Sequence, residues 1–389
     1  MPGRPPSTSP AVLILGAGPA GLALAFALQQ RGLDCRLLEK GSAVAHSWAT
    51  MPTHLKLVSP WQANVLPGSG ARRFPSNYEM PRAEYGAVLQ EYARLHKLSV
   101  VTNAEVHDVT HCVSGGFTVR TSAGTFTAPL LVNATGCFAH PFFPDFPGAR
   151  ASSLPQFHTA TYRDAGHLRA AIGQPGGLVL IVGGRLSAGQ AMVELVEAGF
   201  HVALSQRSPI QYGAGPLGSW IFFRIHPALE RLKLRLHGNA ARGFPSVMPG
   251  GRARRLIESG RVQTFPDIAR FEERRVTFHD GQSLQPEAVL YATGFRPALA
   301  HLAALDLALD DRTGCPARRG FESAAVPGLF FLGLDHLRNF RSRFIRGIRE
   351  DAPLLAEELA ARLRAWTAEA PGPEAPFAAA ERPPSAPVA

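Results

Sequence analysis

The sequence predicts an α/β protein with two Rossmann-like dinucleotide-binding domains. Its 389 residues, 46% of them apolar, are enough for two hydrophobic cores, because a single core stops growing at about 250–300 residues. One order of elements occurs twice: an apolar run, a glycine-rich turn and a helix. The first copy runs from Ala11 to Gly21, and the second runs from Leu178 to Gly189. Two nucleotide-binding units are therefore expected.

In the first unit, Gly16, Gly18 and Gly21 form a GxGxxG turn between an apolar strand and a helix. Gly16 permits the tight turn, Gly18 lets the backbone approach a pyrophosphate, and Gly21 lets the helix pack closely on the strand. The next strand, over 35–38, ends at Glu39, at the spacing of an acid that binds an adenosine ribose. This unit is predicted to hold a dinucleotide at the helix N-terminus.

In the second unit, the strand over 201–205 is followed by Gln206 where the first unit has its acid. The ribose-binding carboxylate is therefore absent. Arg207, together with Ser205, can bind a 2′-phosphate through charge-assisted hydrogen bonds, so NADPH is favoured over NADH. The alternative is that Arg207 is a solvated surface arginine.

The second glycine turn departs from the expected pattern. Arg185 occupies the place of its middle glycine, and a register shifted by one residue would put Leu186 there. A side chain at this point crowds the pyrophosphate, so NADPH would bind weakly, in a shifted pose or not at all. Alternatively, the guanidinium swings outward and pairs with a phosphate. Ser187 and Ala188 keep the rest of the pattern.

Smaller signals fill in the rest of the chain. A helix is expected over 81–95, and hairpins are expected over 117–126 and 275–284. Residues 1–10 and the Pro/Ala-rich tail 367–389 are expected to be disordered, because neither can bury enough apolar surface.

An insertion is expected over 213–244, where Leu229, Leu232 and Leu236 recur at helical spacing among basic residues. A lid packed on the second domain is favoured, and a membrane-surface helix is the alternative. Four arginines near the start of the last helix indicate either a site for an anionic substrate or a solvated helix face: Arg341, Arg343, Arg346 and Arg349.

Composition excludes several classes of protein. The formal charge of +10 comes mostly from arginine spread along the chain without a nucleic-acid-binding motif, so nucleic-acid binding is not expected. The four cysteines are far apart in sequence, which excludes a CxxC dithiol or zinc knuckle, and no metal site is expected. The first ten residues lack an apolar signal region, so a cytoplasmic location is expected.

Several motifs occur in the order found in one family. The chain resembles the flavin-containing monooxygenases, in particular their soluble bacterial and YUCCA-like branch. The segments that carry the resemblance are 16–21 with Glu39-Lys40, 46–48, 55–60, 66–68, 103–106, Asn133–Gly136 and Tyr291–Pro297.

The resemblance implies an FAD domain made of 11–155 and 325–366 around an NADPH domain made of 156–324. It implies FAD contacts from Gly16, Gly18 and Gly21 at the pyrophosphate, from Glu39 at the ribose, from Trp48 beside the flavin and from Val106 beside the adenine. Further cofactor contacts are expected from Ala20 and Lys40, from Ala134, Thr135 and Gly136 where the chain crosses back near the cofactor, and from Asp335 at the polar chain of the flavin. The implied NADPH contacts are Gly183, Ser187, Ala188, Ser205, Arg207 and Thr293.

The implied activity is an NADPH-driven insertion of one oxygen atom from O₂ into a small organic substrate through a C4a-hydroperoxyflavin. Ser59 and Asn64 are the candidate catalytic contacts, with core hydrogen bonding as the alternative. A reductase or oxidase of the same fold, and a flavin-binding protein without NADPH turnover, stay open. No motif names the substrate or the oligomeric state.

Part of the motif that identifies the family stands between the domains as His158 and, four residues later, Tyr162. Tyrosine in place of the tryptophan of Baeyer–Villiger enzymes favours oxygenation of a heteroatom or carbon over ketone insertion. His158 is either a polar linker residue or a residue that positions the cofactor.

Overall fold

The structure is a computed structural model that describes residues 9–57, 59, 61–70, 78–112, 115–173, 176–213, 216–238 and 247–369, without the side chains of 216–224, 226–227 and 367–369. Most of the segments predicted to be disordered, 1–8 and 370–389, lie outside the described residues. The last helix continues to Glu369, so it extends into the predicted tail. At the other end, the hydroxyls of Ser9 and Thr127 are 3.3 Å apart.

The helices are α1 (Pro19–Gln29), α2 (His46–Thr50), α3 (Arg82–Leu95), α4 (Ala165–Ile172), α5 (Leu186–Glu197), α6 (Pro216–His237), α7 (Arg252–Glu258) and α8 (Ile345–Glu369). The strands are β1 (Val12–Leu15), β2 (Cys35–Leu38), β3 (Val100–Val101), β4 (Val106–His111), β5 (Phe117–Thr121), β6 (Gly124–Ala128), β7 (Leu130–Asn133), β8 (Gln156–His158), β9 (Leu178–Val182), β10 (His201–Ser205), β11 (Gln263–Phe265), β12 (Ile268–Glu272), β13 (Arg275–Phe278), β14 (Ser283–Leu284), β15 (Ala288–Tyr291), β16 (Arg318–Arg319), β17 (Glu322–Ser323) and β18 (Leu329–Phe331).

The first sheet has the strand order β16-β17-β18-β7-β1-β2-β3, and its strands from β18 to β3 are parallel. Its central strands β1 and β7 are buried along their whole length, and their residues are apolar except for Asn133 at the end of β7, as expected for strands covered on both faces. Leu15 lies opposite Leu38 on one side and Asn133 on the other, so the strand ends that carry the motifs meet at one edge. Because its strands come from both ends of the chain, the domain built on this sheet is discontinuous.

The second sheet has the order β11-β10-β9-β15-β8, and all of its strands are parallel. Val182 lies opposite Ser205 and Tyr291, as Leu15 does opposite Leu38 and Asn133 in the first sheet. The predicted fold class, two Rossmann-like domains, is therefore confirmed. Each domain also carries a small antiparallel sheet, β4-β5-β6 or β12-β13-β14, which includes the hairpin predicted there.

The insertion helix α6 lies against the domain built on the first sheet. Its Glu230 is 1% exposed, and its carboxylate lies 2.7 Å from Arg346 and 3.3 Å from Arg341. The predicted lid on the second domain is therefore wrong for the described part of this helix. Because these two arginines are occupied by Glu230, they form neither a substrate site nor a solvated face. Every helix in the described part of the chain is too short or too polar to span a bilayer.

Candidate functional site

The two glycine turns have the same geometry at their first position. Gly16 has φ +96°, and an added Cβ would lie 3.0 Å from the Ala134 carbonyl oxygen. Gly183 has φ +133°, and an added Cβ would lie 2.6 Å from the Ala292 carbonyl oxygen. In both domains the turn therefore passes directly over an Ala-Thr-Gly segment, and only glycine fits there.

The second and third glycines of the first turn play different parts. An added Cβ at Gly18 would meet nothing within 4 Å, whereas at Gly21 it would lie 2.1 Å from the Gly16 carbonyl oxygen. Gly21 therefore permits close packing, and Gly18 opens onto space at the N-terminus of α1. Among the residues that the structure describes, no side chain caps this helix end, and Ala20 lies 6% exposed in its first turn. Uncapped N–H groups beside open space suit the pyrophosphate of a dinucleotide.

Glu39 is held in place at the end of β2. Its carboxylate accepts hydrogen bonds from the Ala17 and Gly41 amides, both 3.0 Å long, and the residue is 7% exposed. Since each carboxylate oxygen has a second lone pair, the group can still accept hydrogen bonds from ribose hydroxyls. The predicted ribose acid is thus oriented by the backbone of the turn that it serves.

Behind the first turn lies a buried polar cluster formed by Asn133 and Thr135 of the Asn133–Gly136 motif and by His301, which no motif marked. His301 Nε2 is 2.9 Å from Asn133 Oδ1, and the Thr135 hydroxyl, with its single proton, lies within hydrogen-bond distance of two acceptors, the same Asn133 oxygen at 3.1 Å and the Ala298 carbonyl at 3.0 Å. Burial, together with the charge of Lys40, lowers the pKa of His301 to about 4. The Asn133 amide nitrogen is fully buried and has no partner among the described residues. An unpaired buried donor at this point fits a bound group with acceptor atoms.

The other expected FAD contacts lie around this edge of the sheet. Trp48 packs edge-on against Tyr85, with ring centroids 4.6 Å apart. Val106 begins β4, two residues after the Ala104 amide bonds to the Glu39 carbonyl. Lys40 is exposed, and Asp335 forms a 3.0 Å ion pair with Arg343.

The second turn places Arg185 where the first has Gly18. Each is the N-cap residue of its helix, so the register is settled, and Leu186 is the first helical residue. Arg185 has φ −119°, a conformation open to any residue, and its side chain is exposed. Ala188 replaces the packing glycine and is fully buried, while Ser187 lies half-buried in the first turn of α5. Arg185 therefore fits without strain at the position where a pyrophosphate would lie.

The two residues predicted to bind a 2′-phosphate differ in their surroundings. Ser205 is fully buried and donates its hydroxyl to the Pro266 carbonyl at 2.8 Å, so the expectation that it contacts a phosphate is wrong. Arg207 is exposed and pairs with none of the described residues. Gln206 lies between them against Gly184, with its side-chain oxygen buried and unpaired among the described residues.

Ser59 and Asn64 form hydrogen bonds with each other. The Ser59 hydroxyl donates to Asn64 Oδ1 at 3.1 Å, and Asn64 Nδ2 donates to the Ser59 carbonyl at 3.2 Å. Tyr85 also donates to the Asn64 carbonyl. These contacts agree with the alternative of core hydrogen bonding.

The chain passes between the two domains in two segments, near residues 136–142 and near residues 293–298, and Thr293 hydrogen-bonds one segment to the other. Its hydroxyl donates to the Phe142 carbonyl, and the Phe142 amide donates to the Gly294 carbonyl at 2.9 Å. In the same way, the Ala298 amide donates to the Gly136 carbonyl. In the structure Thr293 therefore connects the two segments that link the domains.

A second unpredicted cluster joins the domains at Glu194 of α5. Its carboxylate accepts hydrogen bonds from the Tyr162 hydroxyl and, at 2.9 Å, from the Ala165 amide. His54 of the first domain lies 2.9 Å away, at the distance of an ion pair but without hydrogen-bond alignment. Burial raises the pKa of Glu194, but the contacts from His54, Tyr162 and the backbone outweigh it and hold the pKa below its usual value. Glu194 lies in an ordinary helical pattern, so no motif marked it.

His158 is fully buried beside this cluster. Its Nδ1 accepts a 3.0 Å hydrogen bond from the Ala160 amide, which places the proton of the neutral ring on Nε2. Burial lowers its pKa to about 4, and its ring meets Phe295 edge-on at 4.9 Å. His158 is therefore a neutral, packed residue near pH 7.

Comparison with known proteins agrees with this architecture. A family model described as pyridine nucleotide-disulphide oxidoreductase matches residues 13–333. The chain is 28% identical over 351 residues to an uncharacterized CzcO-like oxidoreductase of Geobacillus kaustophilus, covering 90% of this chain and 97% of the relative. It is 26% identical over 385 residues to the probable indole-3-pyruvate monooxygenase YUCCA1 of Arabidopsis thaliana, covering 89% of each.

Among solved structures, the flavin-containing monooxygenase from Stenotrophomonas maltophilia matches with a TM-score of 0.76 at 23% identity, covering 92% of this chain and 100% of that one. At that identity the likeness speaks for the fold. The resemblance suggested by the motifs is confirmed by the relatives found. Since the family model covers most of the chain and both glycine turns, the protein belongs to the pyridine nucleotide-disulphide oxidoreductase family.

Proposed function

We propose that the protein is an FAD-dependent, NADPH-driven monooxygenase that transfers one oxygen atom of O₂ to a small organic substrate. Residues 11–155 with 325–366 would bind FAD, and residues 156–324 would bind NADPH. The observation that carries the proposal is the pair of glycine turns at equivalent sheet edges: the strand after the first turn ends at an acid, Glu39, whereas the strand after the second is followed by the neutral Gln206 and then by Arg207.

The residues of the first turn fit FAD. Gly18 leaves room for the pyrophosphate, Glu39 accepts from the adenosine ribose, and the unpaired Asn133 amide offers a buried donor. When bound, FAD would supply the redox chemistry, accepting a hydride from NADPH and reacting with O₂. The protein's own part is to bind, orient and exclude water.

The residues of the second turn fit NADPH in an altered way. Arg185 stands at the N-terminus of α5, where a guanidinium can pair with the pyrophosphate that a glycine would only admit. Arg207 offers a positive charge to the 2′-phosphate, and the neutral Gln206 does not repel it. These features favour NADPH over NADH.

The interface between the domains would hold the two cofactor sites in a fixed position relative to each other. Segment 53–56 of the first domain docks on the second through the Thr53 amide, which donates to the Arg163 carbonyl at 2.8 Å, and through the contact of His54 with Glu194. His158, neutral and buried at the same interface, adds no charge that would draw in water. Such docking restricts the approach of solvent to the cofactor edge.

The relative named as an indole-3-pyruvate monooxygenase suggests one probe, and different reaction types need others. The FAD-loaded protein is mixed with NADPH under ¹⁸O₂ and one of four probes: indole-3-pyruvate, methyl phenyl sulfide, N,N-dimethylaniline or cyclohexanone. Mass spectrometry counts ¹⁸O in the product, and a peroxidase assay counts H₂O₂. A monooxygenase places one ¹⁸O atom in a product and consumes one NADPH for each product formed.

Three other outcomes would contradict the proposal. If NADPH is oxidised but all its electrons appear in H₂O₂ with every probe, the protein is an oxidase of the same fold. If bound FAD is not reduced by NADPH under anaerobic conditions, the protein binds flavin without NADPH turnover. A protein that takes up no FAD at all would overturn the assignment of the first domain.

A further inference from the structure

The described part of α6 carries a continuous apolar stripe that faces solvent. The stripe consists of residues spaced by four, three and four positions, so they share one face of the helix. Their exposed fractions are 49% for Ile225, 37% for Leu229, 51% for Leu232 and 69% for Leu236. These residues, called the α6 stripe below, extend over about 16 Å at a rise of 1.5 Å per residue.

The opposite side of α6 is fastened to the first domain. Glu230 is 1% exposed, receives two hydrogen bonds from the Arg346 side chain to one oxygen, at 3.1 and 2.7 Å, and lies 3.3 Å from Arg341. Turning the α6 stripe inward would move Glu230 away from both arginines and place their charges against apolar side chains. The outward orientation of the stripe is therefore held by buried ion pairs.

The charged residues of α6 are basic, with a single exception. Glu230 is the single acid in the sequence of α6 and is neutralised by arginines, whereas the basic residues Lys233 and Arg235 lie on the two flanks of the stripe, roughly 70° and 90° around the helix from its centre, and Arg235 is exposed. Two copies that met through the stripe would bring these like charges together. An anionic surface would be attracted by them, since clustered basic residues beside an apolar face favour acidic lipid.

We propose that α6 is a membrane-surface contact, with the α6 stripe inserted at the interface of an anionic lipid bilayer and the exposed Arg235 beside it paired with a lipid phosphate. The helix would lie in the plane of the membrane, which requires an apolar face but no spanning segment. This inference does not depend on the reaction proposed above.

The test is co-sedimentation of the full-length protein with vesicles of equal parts phosphatidylglycerol and phosphatidylcholine, and with vesicles of phosphatidylcholine alone. The wild type is expected to bind the anionic vesicles more tightly than the neutral ones and to lose this preference at high salt. The double variant Leu232→Gln/Leu236→Gln should bind anionic vesicles at least about tenfold more weakly, because it loses two aliphatic side chains that would be buried in the bilayer interface.

The matched control is Leu95→Gln/Leu309→Gln, which changes two leucines of similar exposure outside α6 and should bind like the wild type. Thermal unfolding of both variants checks that each is folded. The proposal is overturned if the wild type binds neither kind of vesicle, or if the two double variants bind equally well. It is also overturned if light scattering shows a wild-type dimer that the α6 variant converts to a monomer, because a second copy would then cover the stripe.

Discussion

Replacement of Arg207 by alanine tests the nicotinamide assignment most directly. Arg207 is exposed and pairs with none of the described residues, so its removal should leave the fold intact. Ser205 cannot substitute for it, because its hydroxyl is buried against Pro266. The variant therefore removes the charge proposed to bind the 2′-phosphate and breaks no contact with the described residues.

The expected loss follows from the type of contact. A hydrogen bond to a charged group contributes about 1.5–3 kcal/mol, which corresponds to a roughly 10- to 150-fold change in Kd. Because Arg207 is exposed to solvent, we expect the lower end, about tenfold for NADP⁺. NAD⁺ has no 2′-phosphate, so its Kd should not change.

The assay is isothermal titration of the oxidised, FAD-loaded protein with NADP⁺ and with NAD⁺. Arg274→Ala is the matched control, since Arg274 is an exposed arginine of the same domain, in the turn between β12 and β13. An equal loss for both nucleotides would mean that the variant had damaged the domain. An unchanged affinity for NADP⁺ would refute the placement of its 2′-phosphate at Arg207.

Four further substitutions have distinct expected outcomes. Gly18→Ala should lower FAD retention, measured by the 450 to 280 nm absorbance ratio, but leave the thermal stability of the flavin-free protein unchanged. Gly21→Ala should lower both the FAD retention and the thermal stability, because its Cβ would lie 2.1 Å from the Gly16 carbonyl oxygen. Glu230→Ala leaves two arginines without their buried partner and should cost about 3–5 kcal/mol in urea unfolding; a loss below about 1 kcal/mol would show that α6 is not fastened by this contact. The lowered pKa of Glu194 means that its carboxylate stabilises the fold above its usual pKa of 4.5, and that this stability is lost as the pH falls through the folded-state value. Glu194→Gln should therefore lower the urea midpoint at pH 7, with a difference from wild type that shrinks below about pH 4.5; a difference independent of pH would contradict this.

The sequence by itself determined the two-domain architecture. The glycine turns, the strands that precede them and the acid after β2 are local patterns, because backbone conformation and strand burial impose their own spacing on the residues. Strand β9 and strand β10 begin and end where the apolar runs indicated. The same reasoning identified Glu39, which the structure holds between two backbone amides at the first turn.

Only the tertiary structure decided which polar side chains remain open to a ligand. Ser205 looked available from its position after a strand, but Pro266, 61 residues later in the chain, takes its hydroxyl. The contact of Glu194 with His54 and that of Glu230 with Arg346 join residues more than a hundred positions apart. Such pairs leave no local spacing in the sequence, since they depend on how whole domains and helices pack, and packing also turned the leucines of α6 outward.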